Sequence, residues 1–378
     1  MKLLYYSPAS YGGIADYAHE QANALVALGV DVTLLSTAKY PTGRGEKYHI
    51  VPILQEITPT KPLPHKVSKA IHFSSVTLFN FTKLVSFIEE NDFQYVLMGY
   101  VEYLAPLWSY RLRQLSKKGV VFGAVVHDPV RDFVVGPRWW HRWSIACGYS
   151  FLREAFVHEA IELDTVRPMP RLRTTAIPQG IYHFPNGTQS REKTRSSLDL
   201  PFDVKVMLAF GHIRDNKNLD LVIRAMTNFP NLYLIVAGKE QSSNQRPASF
   251  YQDLAKSLGV ADRCRWEVRF IADTEIGNFF EATDITVLTY SKTFRSASSA
   301  LNTSANYRQP CIASAGEGSL RSVIQNYELG IWIDPDDVDA LVKGIIRWLE
   351  NPPNPEWERY FEENSWQRNA QLVIDRFK

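Results

Sequence analysis

Val206–Met226 reads VMLAFGHIRDNKNLDLVIRAM and changes character twice. Val206–Phe210 is a short apolar run of strand length. Gly211–Asn218 is a polar loop with one glycine and two cations, Arg214 and Lys217. From Leu219 the apolar residues Leu219, Val222, Ile223 and Met226 recur at i, i+3, i+4 and i+7, one face of a helix. A strand that passes through a glycine turn into a helix is half of an α/β unit. It brings backbone N–H groups to a helix start, where anions bind. Two cations in that loop suit a phosphate. For this segment alone, a solvated Arg and Lys on an ordinary turn fit equally well.

The chain outside this segment repeats the alternation. Lys2–Tyr6 reads as a buried strand, Ser7–Gly13 as a turn, and Ile14 to Leu28 as a helix ending at Gly29, before a strand at Val30–Ser36. The turn lacks the G-x-G-x-x-G dinucleotide fingerprint, which argues against a nicotinamide or flavin enzyme. Thr37–Lys69, with five prolines, reads as loop. Helices at 76–90 and 105–118 and strands at 95–99 and 119–126 follow. The last of these strands ends in Val126-His127-Asp128-Pro129, where proline stops the ladder. Further strands are expected at 156–158 and 174–178, then at 205–210, 232–237, 267–271, 285–289, 311–314 and 330–333, with helices between the later ones. The implied architecture is two doubly wound, Rossmann-like α/β domains: 1–184 on the acceptor side, a linker at 185–204, and 205–360 on the nucleotide side. A C-terminal helix at 361–378 is placed so that it could pack back on the first domain.

Strand C-terminal ends are where open α/β sheets bind ligands. Gly12-Gly13, His127-Asp128, Gly211–Asn218 and Tyr290–Ser299 all follow such ends. If the two sheets face each other by those edges, all four turns line one cleft. Taken alone, His127 reads more simply as a loop histidine.

Bulk properties narrow the field. The 378 residues are 45% hydrophobic and 22% charged, with a net charge of +2. Residues 1–190 carry 19 Lys and Arg against 15 Asp and Glu, and the remainder 23 against 25. That imbalance is too small for a nucleic-acid-binding face. Cys147, Cys264 and Cys311 are widely spaced and odd in number, which fits a reducing compartment and no zinc site. No Asp/Glu/His cluster has metal-ligand spacing. The N-terminus runs directly into a strand with no signal peptide, and no apolar run approaches the ~18–20 residues of a spanning helix. A cytoplasmic location is expected. Pro137–Tyr149 gathers Trp139, Trp140 and Trp143 with Arg138, His141 and Arg142. It reads as a partly buried helix, and it also suits an anionic membrane interface, on the inner face of the plasma membrane, or an acceptor surface.

The order of blocks resembles a known family, the GT-B-fold retaining glycosyltransferases of family 4 (glycosyl transferases group 1). YGGIADYAHEQANALVALGVDVTLL resembles the family's opening Gly-Gly loop, helix and strand, and VVHDP its strand end with the active-site histidine. IPQGIYHF is similar to its interdomain segment, with Gln179 where histidine is usual. FGHIRDNKNLDLVIRAM resembles the F-G-x-I-R-x-Y-K-G-L-D branch, and Arg269–Ser314 its continuation.

The resemblance implies a nucleotide-diphospho-sugar donor, UDP and a hexose being the expected base and sugar, with no cofactor and no metal. The acceptor is a hydroxyl of a glycan or lipid-linked glycan, and the work is polysaccharide or glycoconjugate biosynthesis. By position, Arg214 and Lys217 bind the diphosphate, with Gly12, Gly13 and the helix start Ser298, Ser299, Ala300 and Leu301. His127 acts at the transferred sugar. Gly238, Phe270, Ile271 and Thr303 fall at the base and ribose, and Asp128 and Arg295 at the donor sugar. Two glutamates eight apart are usual in the family; Arg295 and Thr303 stand at those positions. Asn218 and the pair Arg308-Gln309 replace usual glycines. The departures leave two alternatives: a nucleotide-sugar-binding or partner protein that has lost catalysis, and a GT-B epimerase.

Overall fold

The structure, a computed structural model, describes residues 1–57, 65–99, 104–127, 129, 134, 136–158, 162–241, 245–295 and 298–378. It divides into two compact units, Met1–Gly180 with Asn364–Lys378, and Ile181–Glu363.

In unit 1 the elements run β1 (Lys2–Tyr6), α1 (Gly13–Ala27), β2 (Asp31–Thr37), β3 (His49–Leu54), α2 (Lys66–Glu90), β4 (Tyr95–Met98), α3 (Ala105–Lys117), β5 (Val121–Val126), α4 (Arg138–Tyr149), β6 (Glu154–Val157) and β7 (Arg173–Ala176). The strands form one sheet in the order β3-β2-β1-β4-β5-β6-β7, and every pairing is parallel. The strand order reverses between β1 and β4, so the turn at Gly12 opens at a switch point.

Unit 2 runs α5 (Arg191–Ser197), β8 (Lys205–Phe210), α6 (Leu219–Ala225), β9 (Leu232–Ala237), α7 (Ala248–Ser257), β10 (Cys264–Glu267), α8 (Asp273–Ala282), β11 (Ile285–Thr289), α9 (Ser299–Asn306), β12 (Cys311–Ser314), α10 (Ser319–Asn326), β13 (Gly330–Trp332), α11 (Val338–Glu350) and α12 (Trp357–Glu363). Its sheet order is β10-β9-β8-β11-β12-β13, again parallel throughout. Here the reversal falls between β8 and β11. The last helix, α13 (Trp366–Phe377), returns to unit 1. Asn369 on it donates to the Tyr17 hydroxyl and to the Pro178 carbonyl, both at 2.7 Å.

The apolar periodicity of the opening stretch does what its spacing implies. Leu219, Val222, Ile223 and Met226 are all buried, in one cluster with β8, β9 and β11. Burying each such side chain contributes about 1.5–3 kcal/mol, so this face anchors the loop before it. The cysteines Cys147, Cys264 and Cys311 are buried free thiols.

Four expectations change. Thr37–Lys69 contains β3, paired with β2. Pro52 hid it, but β3 is an edge strand, where a missing N–H is tolerated. Residues 185–204 are folded into unit 2 rather than forming a free linker. Ser190 caps α5 by accepting from Lys193 N, and the buried Arg195 guanidinium binds the Ala282 carbonyl and the Asp284 carboxylate. The strand expected at 267–271 is Cys264–Glu267, and Val268–Ile271 form the turn after it. Finally, Val67–Glu90 within α2 is long and apolar enough to cross a membrane by length and composition. One face of it, with Phe81, Leu84, Val85 and Ile88, is buried in the unit 1 core, as in an amphipathic core helix.

Candidate active site

The loop after β8 is held by bonds that prolong the sheet. Gly211 N donates to the Ala237 carbonyl (2.9 Å) and Ile213 N to Lys239 (2.9 Å). Gly238 permits this approach: it has φ +153°, and a Cβ there would lie 2.1 Å from the Gly211 carbonyl oxygen. Asn218 closes the loop in the left-handed region (φ 49°, ψ 40°). Asparagine tolerates that conformation better than other non-glycine residues, which explains how it replaces the family's glycine. Arg308, in the second replaced position, is also left-handed at φ 51°. The Asn218 amide donates to Asp336 (2.8 Å), whose other oxygen accepts from Lys292 N (3.1 Å).

The loop after β11 lies against the first. Thr289 Oγ1 donates to the Lys217 carbonyl (2.8 Å) and Ser291 N to the Asn216 carbonyl (2.8 Å). The switch point of unit 2 is thus lined by both loops.

Charge in this place is one-sided. Asp215, the loop's single acid, is turned to Arg246 Nε (2.9 Å) and the Tyr251 hydroxyl (3.2 Å). Among the described residues Arg214 and Lys217 have no carboxylate within 4.0 Å. Arg214 Nε is buried, with no hydrogen-bond partner among the described residues. The Lys217 ammonium donates to the Phe210 carbonyl at 2.6 Å. Burial first, and the Arg214 charge second, push the Lys217 pKa down to about 7. His212 is lowered too, by burial and then by Arg214, Lys239 and Lys217. Cations crowded without a counter-charge make a site prepared for an anion.

Lys217 also makes the free fold pH-sensitive. Its folded pKa lies below the unfolded 10.5, so the folded chain binds fewer protons between about 7 and 10.5. This group alone therefore makes the unliganded fold gain stability as pH rises through that window.

α9 begins beside this cluster. Ser298 Oγ accepts from Leu301 N (3.1 Å) and pairs with the Tyr290 hydroxyl (2.9 Å). Ser299 and Ala300 are first-turn donors with no acceptor inside the helix. Ala300 and Leu301 pack their side chains into the core. Thr303 is buried, and its hydroxyl donates back to the Ser299 carbonyl (3.0 Å), leaving only lone pairs for a ligand. Arg295 is exposed. Ile271 is buried beside Ile235 and Ala237, while Phe270 is 69% exposed with the Lys239 ammonium 5.8 Å from its ring centroid.

In unit 1, Gly12 precedes α1 with φ 76° and ψ −175°, a conformation open to glycine alone. Its carbonyl accepts from Ala15 N and Asp16 N. His127 follows β5, and its Nδ1 lies 3.4 Å from His158 Nε2. Burial, and then His158, lower the His127 pKa to about 3. Asp128 lies outside the described residues. Sequence reasoning missed Lys239, Tyr290, Asp336 and His158. Lys239, Tyr290 and His158 follow strand ends and were open to the same rule as His127; Asp336 acts through contacts to Asn218 and Lys292, distant in sequence.

Among the described residues no group of three or more His, Cys, Asp and Glu is placed to hold a metal ion.

Residues 11–181 match the family described as Glycosyltransferase Family 4, and residues 190–368 match Glycosyl transferases group 1. With the two parallel sheets, these matches place the chain among the GT-B glycosyltransferases. A D-inositol 3-phosphate glycosyltransferase of Thermobispora bispora is 29% identical over 52% of this chain and 47% of its own length; the chain thus spans about half of that relative. Among solved structures, sucrose-phosphate synthase of Thermosynechococcus elongatus has a TM-score of 0.69 at 18% identity, covering 99% of this chain and 97% of that one. Anabaena HepE, solved with UDP and glucose, has a TM-score of 0.69 at 13% identity, covering 99% and 98%. Both share the GT-B fold with this chain.

Proposed function

We propose that the chain moves a sugar, a hexose, from a UDP-linked donor to a hydroxyl of a glycan or lipid-linked glycan, with retention of configuration and without a metal ion. The observation that carries this is the unneutralised pair Arg214 and Lys217 at the switch point of unit 2, beside the first-turn N–H groups of α9. Breaking a glycosyl–phosphate bond leaves negative charge on the departing diphosphate. Preorganised cations and N–H groups lower the barrier by meeting that charge as it forms. His127, in unit 1, takes the hydroxyl-binding role at the sugar. UDP in a similarly folded structure supports the choice of nucleotide.

Incubation with a panel of nucleotide sugars and glycan acceptors tests the proposal. Transfer from a UDP-hexose is expected. Turnover of no donor, despite nucleotide binding, would favour a second reading, a binding protein without catalysis. Arg295 and the back-bonded Thr303 hydroxyl, standing where the family has glutamates, support that reading.

UDP binding is expected to take up protons above pH 7. Lys217 is largely neutral there in the free protein, and a bound diphosphate favours its charged form. Affinity therefore falls as pH rises past about 7. Titration calorimetry at pH 8, in buffers of different ionisation enthalpy, reads the proton directly; no uptake would remove Lys217 from the phosphate.

A peripheral location on the inner face of the plasma membrane is part of the same proposal. On α4, Trp139 and Trp143 are 65% and 49% exposed beside Arg138 and Arg142. The opposite face, with Ile145 and Tyr149, is buried. Exposed Trp among cations suits the headgroup layer of anionic lipid. The protein is expected to float with liposomes containing anionic lipid, and Trp139→Ala with Trp143→Ala to reduce the floating fraction. Equal recovery with and without liposomes would oppose docking.

A further inference from the structure

We infer that His158 is a positioning residue for His127, holding its imidazole as the Nδ1–H tautomer so that Nε2 presents a bare lone pair to a substrate hydroxyl. The inference rests on the proposed hydroxyl-binding role of His127.

The sheet register brings the two rings together. β5 and β6 pair in parallel with Val126 opposite Val157, and each histidine is the next residue along. The bond order then follows from one fixed acceptor. His158 Nδ1 lies 3.3 Å from the Ile177 carbonyl, which can only accept, so Nδ1 carries the hydrogen. A neutral imidazole has one N–H, so His158 Nε2 is a lone pair. His127 Nδ1, 3.4 Å away, must then donate to it. The remaining nitrogen, His127 Nε2, is left as an acceptor, and it is buried without a partner among the described residues. Burial keeps both rings neutral at pH 7, the His158 pKa falling to about 4. The Tyr17 ring packs edge-on against the His127 ring, with centroids 4.8 Å apart. The Tyr17 hydroxyl itself accepts from Asn369. A second ring nitrogen anchored in this way is how proteins choose a histidine tautomer.

The chemical consequence is specific. Nε2 accepts from a sugar or acceptor hydroxyl and so orients it by its oxygen. An Nε2–H tautomer would instead donate to that oxygen and reverse the bond.

Nitrogen-15 NMR of histidine-labelled protein at pH 7 tests the arrangement in the full chain, with the His127→Ala spectrum identifying the resonances. The wild type is expected to show His127 protonated at Nδ1. His158→Ala should shift it toward the Nε2–H form preferred by free imidazole. That variant should lower kcat about 10- to 100-fold, the range for losing the partner that orients a ligand histidine, with donor KM unchanged. His158→Gln should restore both spectrum and rate, since its amide can accept from His127 and donate to Ile177. An Nε2–H form in the wild type, or an Nδ1–H form that survives in His158→Ala, overturns the inference. Retained transfer in His127→Ala overturns the underlying role of His127; it is separable because the tautomer spectra do not depend on activity.

Discussion

Lys217→Ala is expected to lower kcat/KM for sugar transfer about 100- to 1000-fold, the loss that follows removal of one preorganised group from developing negative charge. The fold should tolerate the change. The Lys217 ammonium is largely desolvated, crowded by Arg214, and bound to one backbone carbonyl. Removing it relieves a buried charge and leaves the Phe210 carbonyl without that donor, two effects of about 1–3 kcal/mol and opposite sign. A melting temperature near that of the wild type, with transfer nearly abolished, is the predicted combination. Steady-state kinetics beside scanning calorimetry reads it; full transfer would sink the phosphate role.

Gly238→Ala should act on the same site from behind, through the backbone. The added methyl would sit 2.1 Å from the Gly211 carbonyl oxygen and 2.6 Å from its carbonyl carbon. Both are backbone atoms and cannot swing aside. Positive-φ strain and forced separation of two strand ends together cost about 2–6 kcal/mol. Because Gly211 opens the loop that carries Arg214 and Lys217, nucleotide binding should fall with stability. Urea unfolding and a UDP titration on the same variant check the pair of effects. A variant with wild-type stability would mean that the two glycines do not need their close approach.

The sequence made the α/β alternation legible because its strands are apolar runs ended by glycine, proline or polar turns. The loop at Gly211–Asn218 could be read for the same reason, and its two cations stand three residues apart within it. What made the cations count was not adjacent. Asp215 could have neutralised Lys217 or Arg214, and only the fold shows it drawn off to Arg246 and Tyr251. β3 was obscured by Pro52, because sequence cannot tell an edge strand from a central one. α5 was obscured by its polar exterior; its stability comes from Arg195 and Asp284, 89 positions apart. Thr303 was legible as standing where a carboxylate is usual, but not that helical geometry returns its hydroxyl hydrogen to the Ser299 carbonyl. His158 was visible as a strand end, but its partner in the neighbouring strand was not.

The central claim is that unit 2 grips a diphosphate through Arg214, Lys217 and the start of α9. Comparing uridine, UMP and UDP in one titration series tests it most directly. The account predicts that affinity climbs steeply with each phosphate, and that the climb collapses in Arg214→Ala with Lys217→Ala while uridine binding is unchanged. Equal affinity for uridine and UDP, or a climb that survives the double substitution, would contradict it.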